Sequence, residues 1–216
     1  MRLISHIHEP TSALSHGVAA LFSCAALSVL VVYAALWATP WHVVGFSIFG
    51  ASLVLLYSAS AFYHSVPPSS SWKHALRKFD HSMIYVLIAG TYTPLGLTIL
   101  RGAWGWSLLG ILWGLAFLGI AIKIGNIRIH PALSIFLYIV MGWLGLIAIV
   151  PISKSIVFGG LVWLFVGGVF YTVGTIFFGL DRFFKYRRFF TFHDLFHVFT
   201  VAGSTSHFWL MIRYVL

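Results

Sequence analysis

Acidic residues are scarce in this chain: only four Asp and Glu occur among 216 residues, against thirteen Lys and Arg. Charged residues of both signs make up 8% of the sequence, whereas about 25% is typical of a soluble globular domain. So few charges cannot solvate the surface of a soluble protein of this size. The sequence also lacks the polar or low-complexity tracts that would indicate disorder. A soluble domain and a disordered chain are therefore both excluded.

Cysteine is almost absent as well. Cys24 is the single cysteine, so it has no partner within the chain and a disulfide scaffold is excluded. The basic residues do not gather into one contiguous strip, which argues against nucleic acid as a partner. What the chain has instead is apolar residues, which make up 60% of the sequence. This composition predicts a polytopic membrane protein.

Seven uncharged runs have the length of about 20 residues that a transmembrane helix needs. They are Val18–Trp37, Val43–Tyr63, Met83–Leu100, Trp104–Ile122, Pro131–Val150, Ile156–Leu180 and about His193–Leu216. The runs are continuously apolar, whereas the strands of a membrane barrel alternate. We therefore expect an all-α bundle of seven transmembrane helices, with residues 1–216 forming one domain. Residues 1–17 are expected to form a cytoplasmic or interfacial segment before the first helix.

The distribution of Lys and Arg predicts the orientation of this bundle. Ten lie on the side of the N-terminus: Arg2, Lys73, Arg77, Lys78, Lys123, Arg128, Arg182, Lys185, Arg187 and Arg188. The opposite side has three, namely Arg101, Lys154 and Arg213. Positive charges in short loops favour the cytoplasmic side. We expect a plasma (inner) membrane protein with its N-terminus in the cytoplasm and its C-terminus outside.

Ionisable side chains are costly in or near a membrane and are candidates for function. All four acids (Glu9, Asp80, Asp181, Asp194) fall on the predicted cytoplasmic side. Nine of the eleven histidines do so too, and only His42 and His207 lie elsewhere. This asymmetry predicts a site near the cytoplasmic face.

Histidines from two segments can meet at that face. His193 and His197 are four residues apart at the start of the seventh span, so they share one face of a helix. His64 reaches the same depth at the end of the second span. Three histidines with an open fourth position form a known catalytic zinc arrangement. Ser60 lies one turn before His64 and can reach Asp80, which would hold a water on the metal by hydrogen bonding.

Several motifs together resemble the hemolysin III proteins of the progestin and adipoQ receptor (PAQR) family. Three of them are Ser-x-x-x-His at 60–64, Phe-Asp-His at 79–81 and His-x-x-x-His at 193–197. The others lie at 8–17 (HEPTSALSHG), 89–94 (AGTYTP), 141–144 (MGWL) and 203–208 (GSTSHF). The resemblance therefore covers nearly the whole chain.

This resemblance implies a seven-helix bundle that holds Zn²⁺ through three histidines, which fall on His64, His193 and His197. The family's aspartate falls on Asp80, where it contacts the water on the zinc, and its serine falls on Ser60. The family is grouped with alkaline ceramidases as membrane hydrolases. A hydrolase of this kind would act on a lipid amide or ester at the cytoplasmic leaflet.

The roles of the other polar residues can be interpreted in more than one way. Asp194 is interpreted as capping the helix start or facing a basic loop, with a general base like that of H-E-x-x-H proteases as the alternative. His81 cannot easily point the same way as Asp80, and Glu9 and His16 line the cytoplasmic mouth or anchor the interface. His207 lies too deep to bind the same metal, and an interhelical hydrogen bond is expected.

The sequence is compatible with three functions. The first is a zinc hydrolase in which Asp80 takes a proton from water and the metal polarises a carbonyl group. The second is a membrane sensor or regulator of lipid homeostasis whose zinc only ties the helices together. The third is a pore-forming, hemolysin-like protein, although the polar residues cluster at one face instead of recurring through the depth of several helices. A membrane lipid is the expected substrate or ligand, and no motif names a protein partner.

Overall fold

The computed structural model describes residues 8–127, 129–181 and 191–216, which are almost entirely helical and contain no strand. The α-helices are α1 Pro10–Trp37, α2 Pro40–Ser65, α3 Lys73–Leu97, α4 Ala103–Ile124, α5 Pro131–Trp143, α6 Ile149–Ser155, α7 Phe158–Leu180 and α8 Phe192–Leu210. A 3₁₀ segment, Leu144–Ala148, joins α5 to α6, and a π-helical turn, Met211–Val215, follows α8.

Proline sets the start of three of these helices. Pro10, Pro40 and Pro131 occupy the first helical turn of α1, α2 and α5. The fixed φ of proline suits that position, and the missing N–H would have no partner there. The first two helices therefore begin before the apolar runs that they contain, at Pro10 against Val18 and at Pro40 against Val43, whereas the fifth run and α5 both begin at Pro131.

Seven helical segments have the arrangement expected of a polytopic membrane protein. In the part of the chain that the structure describes, six are long and apolar enough to cross a membrane, with the stretch Pro131–Ser155 counted as one. The remaining segment, α3, carries Lys73, Arg77, Lys78 and Asp80 in its first turns. It packs against α2, α4 and α5 and is the most deeply buried of the helices. Arg77 is exposed and Lys73 and Lys78 are partly exposed at this end of the helix, so only Asp80 of these four residues is buried.

The third helix begins ten residues earlier than the apolar run Met83–Leu100. A hydropathy pattern marks where apolar residues begin, whereas a helix continues as long as its backbone hydrogen bonds do. Asp80 therefore lies two turns inside α3, where its side chain is buried, and does not open the helix.

The fifth span is interrupted where a single helix, Pro131–Val150, was expected. The hydroxyl of Tyr92 in α3 donates a hydrogen bond to the Gly142 carbonyl and accepts one from the Gly145 N–H at 3.2 Å. The chain between these residues leaves α-geometry and forms the 3₁₀ segment. A partner fifty residues away thus explains an interruption that the local sequence does not reveal.

The bundle is arranged around sequential antiparallel contacts. Helix α1 packs on α2, α2 on α3, and α3 on α4, whereas α8 packs on α7 and closes against α1. Helices α2 and α3 approach closely at Gly90, where a Cβ atom would lie 2.5 Å from the Ser52 hydroxyl. Large apolar side chains cover the outer surface as lipid contact requires, among them Leu21, Phe22, Phe62, Phe117, Phe136 and Phe158.

The orientation across the membrane stays a prediction. Six of the ten cations that support it (Arg2, Arg128, Arg182, Lys185, Arg187 and Arg188) lie outside the described residues, as do residues 1–7. Most of the rest of the segment 1–17 does not precede the first helix, because α1 already begins at Pro10. The helices that follow do place Lys73, Arg77, Lys78 and Lys123 at the same end of the bundle as the N-terminus of α1.

Candidate metal centre

Three imidazole rings converge between the end of α2 and the start of α8. The Nε2 atom of His193 lies 3.2 Å from Nε2 of His64 and 3.2 Å from Nε2 of His197. The three ligand atoms all lie within 4.8 Å of one another. His64 and His197 are buried and His193 is partly buried. These are the three residues that the sequence predicts as metal ligands.

The start of α8 is fixed by a capping box that aligns two of the ligands. Thr191 caps the helix, and its hydroxyl accepts a hydrogen bond from the Asp194 N–H at 3.1 Å. The Thr191 N–H in turn donates to Asp194 Oδ2 at 2.9 Å. Because the helix begins at Phe192, residues 193 and 197 fall one turn apart on one face.

Asp194 is therefore a cap, as interpreted from the sequence. Its second carboxylate oxygen, Oδ1, accepts a hydrogen bond from the Ser12 hydroxyl at 2.8 Å. Both oxygens thus hold the chain in place, and the contact with Ser12 ties α8 to α1. The comparison with a protease-like general base does not fit these contacts.

Residues at the start of α1 contact two of the predicted ligands. Glu9 accepts a hydrogen bond from Nδ1 of His64, and the Glu9 N–H donates to the His64 carbonyl at 3.1 Å. The hydrogen bond from His64 holds the pKa of Glu9 below its usual value. His16 stacks on the ring of His197, with centroids 3.6 Å apart and planes 8° from parallel. Glu9 and His16 thus contact two of the predicted ligands directly, and His16 is buried inside the bundle.

These contacts test whether the site suits a metal. A neutral imidazole carries a proton on one nitrogen and a lone pair on the other. Since Nδ1 of His64 faces a carboxylate, its proton resides there and the lone pair lies on Nε2. That lone pair points at the other two Nε2 atoms, which an ion among them would stabilise. Nitrogen ligands about 2.0–2.1 Å from a tetrahedral ion lie about 3.3 Å apart, which is close to the 3.2 Å that separates His193 from each of the other two.

A carboxylate on the outer nitrogen of a ligand histidine is a frequent feature of zinc sites. It fixes the tautomer and the ring orientation and raises the basicity of the coordinating nitrogen. Glu9 has this relation to His64. The sequence placed Glu9 near the mouth but did not pair it with His64, because the two are 55 residues apart and belong to different helices.

Asp80 and Ser60 lie beside the three histidines. Both are buried, at 8% and 2% exposure, and both line a cavity that also includes His193 and His197. The Ser60 side chain lies close enough to the Asp80 carboxylate to interact with it. His81 lines the same cavity, with its Nε2 atom 3.9 Å from Asp80 Oδ2. Asp80, Ser60, His193 and His197 therefore line one cavity, and His64 contacts this group through His193.

That space continues into the bundle as an apolar cavity of about 120 Å³. Its walls come from α2, α3, α5, α7 and α8, with Leu56, Leu87, Ile139 and Phe165 among the lining residues. His207 lines its deep part and makes a hydrogen bond from Nε2 to the Leu164 carbonyl at 3.3 Å. The interhelical hydrogen bond expected of His207 is confirmed.

A second, wider space lies on the other side of the histidines. We call it the vestibule; its volume is about 640 Å³, and its walls include Glu9, Arg77, Lys123, Asp181 and Asp194. Burial raises the pKa of Asp181 above its usual value. The vestibule and the apolar cavity share His81, Tyr138, Phe178 and His193, so the two spaces adjoin at the predicted site.

The sequence matches known proteins along nearly its whole length. The family model described as Haemolysin-III related matches residues 5–208. The chain is 41% identical over 206 residues to the Hemolysin-3 homolog of Bacillus subtilis (strain 168), covering 95% of this chain and 93% of that protein. It is 39% identical over 208 residues to Hemolysin-3 of Bacillus cereus, covering 96% and 92%.

The chain is also similar, more distantly, to an animal protein. The monocyte to macrophage differentiation factor of Homo sapiens is 24% identical over 184 residues, which cover 81% of this chain and 72% of the human protein. The family match, the two bacillary relatives and the all-helical fold agree with the resemblance that the motifs indicate. The chain belongs to the haemolysin III family of membrane proteins.

Proposed function

We propose that this protein is a zinc-dependent hydrolase that cleaves an acyl amide or ester bond in a membrane lipid at the cytoplasmic leaflet. One observation carries the proposal: three convergent imidazole nitrogens lie beside a buried carboxylate at the mouth of an apolar cavity. A ligand cluster alone would suit a structural ion. The adjoining acid and cavity supply what a reaction needs in addition, a base and a binding site.

His64, His193 and His197 would hold the ion. A divalent ion with three imidazole ligands and an open position supplies a Lewis acid for a carbonyl group and makes a coordinated water more acidic. Imidazole also binds Mn²⁺ and Fe²⁺, so zinc is proposed from the three-histidine arrangement and the family resemblance.

Asp80 is the proposed general base, which removes a proton from the attacking water. A carboxylate does this from within hydrogen-bonding reach of the water, and such catalysis contributes about 10²- to 10⁴-fold. Ser60 orients the Asp80 carboxylate toward the site. The apolar walls around these residues exclude bulk water, which strengthens the interactions of the carboxylate with its neighbours.

The substrate follows from the shape of the site. The apolar cavity next to Asp80 and His197 suits an acyl chain, with the scissile carbonyl at the histidines and the polar remainder of the lipid in the vestibule. The resemblance to alkaline ceramidases favours an amide. The ten-to-three distribution of Lys and Arg supports a location near the cytoplasmic face of the plasma membrane.

A sensor or regulator with a structural ion is the second candidate. It is supported by the way the histidines join α2 to α8, and by the contacts of Glu9 and His16 that bring in α1. The names of the two bacillary relatives point to a third candidate, a pore. The acidic side chains and most of the histidines in the described residues gather at one end, which does not favour a continuous conducting path.

The test is Asp80→Asn, which removes the base and keeps the shape of the side chain. The hydrolase proposal predicts about one zinc per chain, as in wild type, and a loss of about 10²- to 10⁴-fold in the release of fatty acid from an N-acyl sphingoid amide or a matched acyl ester. Ser60→Ala should lower the rate less. Unchanged turnover with zinc bound would exclude Asp80 as the base.

Wild-type protein that binds zinc and cleaves neither substrate would favour the sensor. Ion flux through liposomes that persists after removal of the metal with a chelator would favour the pore.

A further inference from the structure

Two cations of the vestibule face one another without an acidic partner. Arg77 projects from the second turn of α3 and Lys123 from the last turn of α4, and these helices pack side by side. The two side chains lie close enough to interact electrostatically, and His81 lies within range of both. Like charges at such a distance repel, so the arrangement favours an anion between them.

The hydrogen-bond partner that the structure shows for Lys123 is uncharged, so it does not neutralise the cation. Lys123 donates a hydrogen bond from Nζ to the Ser134 hydroxyl at 2.9 Å. No hydrogen bond or ion pair links Arg77 to any residue in the ranges that the structure covers. The guanidinium group, with five N–H donors, is therefore available within these ranges.

The acids of the vestibule are held by other groups. Glu9 is bonded to His64, and Asp194 to Thr191 and Ser12. The Asp181 carboxylate lies close to the backbone N–H of His193. These acids come from α1, α8 and the end of α7, whereas the cations come from α3 and α4. The positive side of the vestibule is thus not neutralised by its negative side.

We propose that Arg77 and Lys123 bind the phosphate group of a membrane lipid in the vestibule. Guanidinium binds phosphate through paired hydrogen bonds, and ammonium adds a point charge. A lipid is favoured over a free anion because the vestibule adjoins the apolar cavity, at His81 and His193, so one amphiphile can occupy both spaces. That this lipid is the substrate rests on the proposed hydrolase function, whereas its binding does not.

The experiment measures lipid retention by native mass spectrometry of the purified protein in a neutral detergent. The probes are phosphatidic acid and diacylglycerol with identical acyl chains, which differ only in the phosphate. We expect preferential retention of phosphatidic acid, and a loss of about fivefold in Arg77→Gln and in Lys123→Gln, as for removal of one cation at an anionic bilayer surface. Arg77→Lys keeps the charge and should retain most of the binding.

Lys78→Gln is the matched control, because Lys78 neighbours Arg77 at the same end of the bundle but does not line the vestibule. It should keep the wild-type preference. An equal loss in this variant, or equal retention of the two lipids by wild type, would overturn the proposal. Displacement of phosphatidic acid by an equal concentration of glycerol phosphate would also overturn it, because the site would then bind a free anion. Turnover is not measured, so an inactive protein leaves this result interpretable.

Discussion

Histidines lie at both ends of helix α2, and the two ends use them differently. His42 belongs to the first turn and His64 to the last, about 33 Å apart along the axis. Nδ1 of His42 pairs with the Thr39 hydroxyl at 2.8 Å, and its Nε2 with the Val215 carbonyl at 3.1 Å. Both ring nitrogens thus have chain partners, and the ring caps α2 and ties it to the C-terminal turn.

At the other end, only the outer nitrogen of His64 has such a partner, the Glu9 carboxylate. Its inner nitrogen lies 3.2 Å from that of His193, which in turn lies 3.2 Å from that of His197. A histidine with two fixed chain partners has no lone pair to offer, whereas three that converge by their Nε2 atoms have several. The use of both nitrogens therefore distinguishes structural from ligand histidines better than the number of histidines does.

The largest effect is expected when two of the converging rings are removed. The double variant His193→Ala/His197→Ala should lose its bound metal, from about one ion per chain to less than about a tenth, because one imidazole cannot retain a divalent ion. Elemental analysis of the purified protein measures this. His42→Ala is the matched control and should keep the metal. Full metal content in the double variant would mean that the ion lies elsewhere.

A smaller effect is expected from the carboxylate behind His64. Glu9→Gln keeps the size of the side chain but removes the negative charge that polarises the ring. Metal affinity should fall by about 10- to 100-fold, the usual cost of losing such a partner. Competition with a chelator of known affinity measures the change. Ser15→Ala, in the same turns of α1, should leave the affinity unchanged; an equal fall there would indicate general damage to α1.

The stacked ring of His16 should contribute less again. His16→Ala removes the surface on which the ring of His197 rests, and we expect metal binding to weaken by about fivefold, the value of about 1 kcal/mol for an aromatic pair. His16→Phe keeps a flat ring and should restore most of the affinity in the same chelator competition. If Phe and Ala behave alike, stacking does not position His197.

Much of this arrangement could be predicted from the sequence, because it depends on local patterns. The seven apolar runs, the i, i+4 spacing of His193 and His197, and Thr191 with Asp194 at a helix start are all contained within a few turns. The convergence of the Nε2 atoms also confirms that His64 meets the pair at 193 and 197. The roles proposed for Asp80 and Ser60 remain predictions.

What could not be predicted depends on contacts between distant segments. The interruption after Trp143 results from the Tyr92 hydroxyl, and the pairing of Glu9 with His64 results from the packing of α1 on α2. The start of α3 at Lys73 was missed for another reason, since hydropathy does not register a helix that continues through polar residues. Tertiary structure therefore supplies the surroundings of the ligands, whereas the sequence supplies the ligands.

The smallest expected effect tests the other side of the comparison, the capping role of His42. Thr39→Ala removes the hydroxyl that pairs with Nδ1 of His42 and should lower the free energy of unfolding by about 1 kcal/mol, as other lost helix caps do, with metal content unchanged. Because Thr39 and His42 contact each other, the double variant Thr39→Ala/His42→Ala should be more stable than the sum of the single effects predicts. Thermal unfolding in detergent measures all three variants. Strictly additive losses would mean that the two side chains act separately, and loss of metal in any of them would remove the distinction between the two ends of α2.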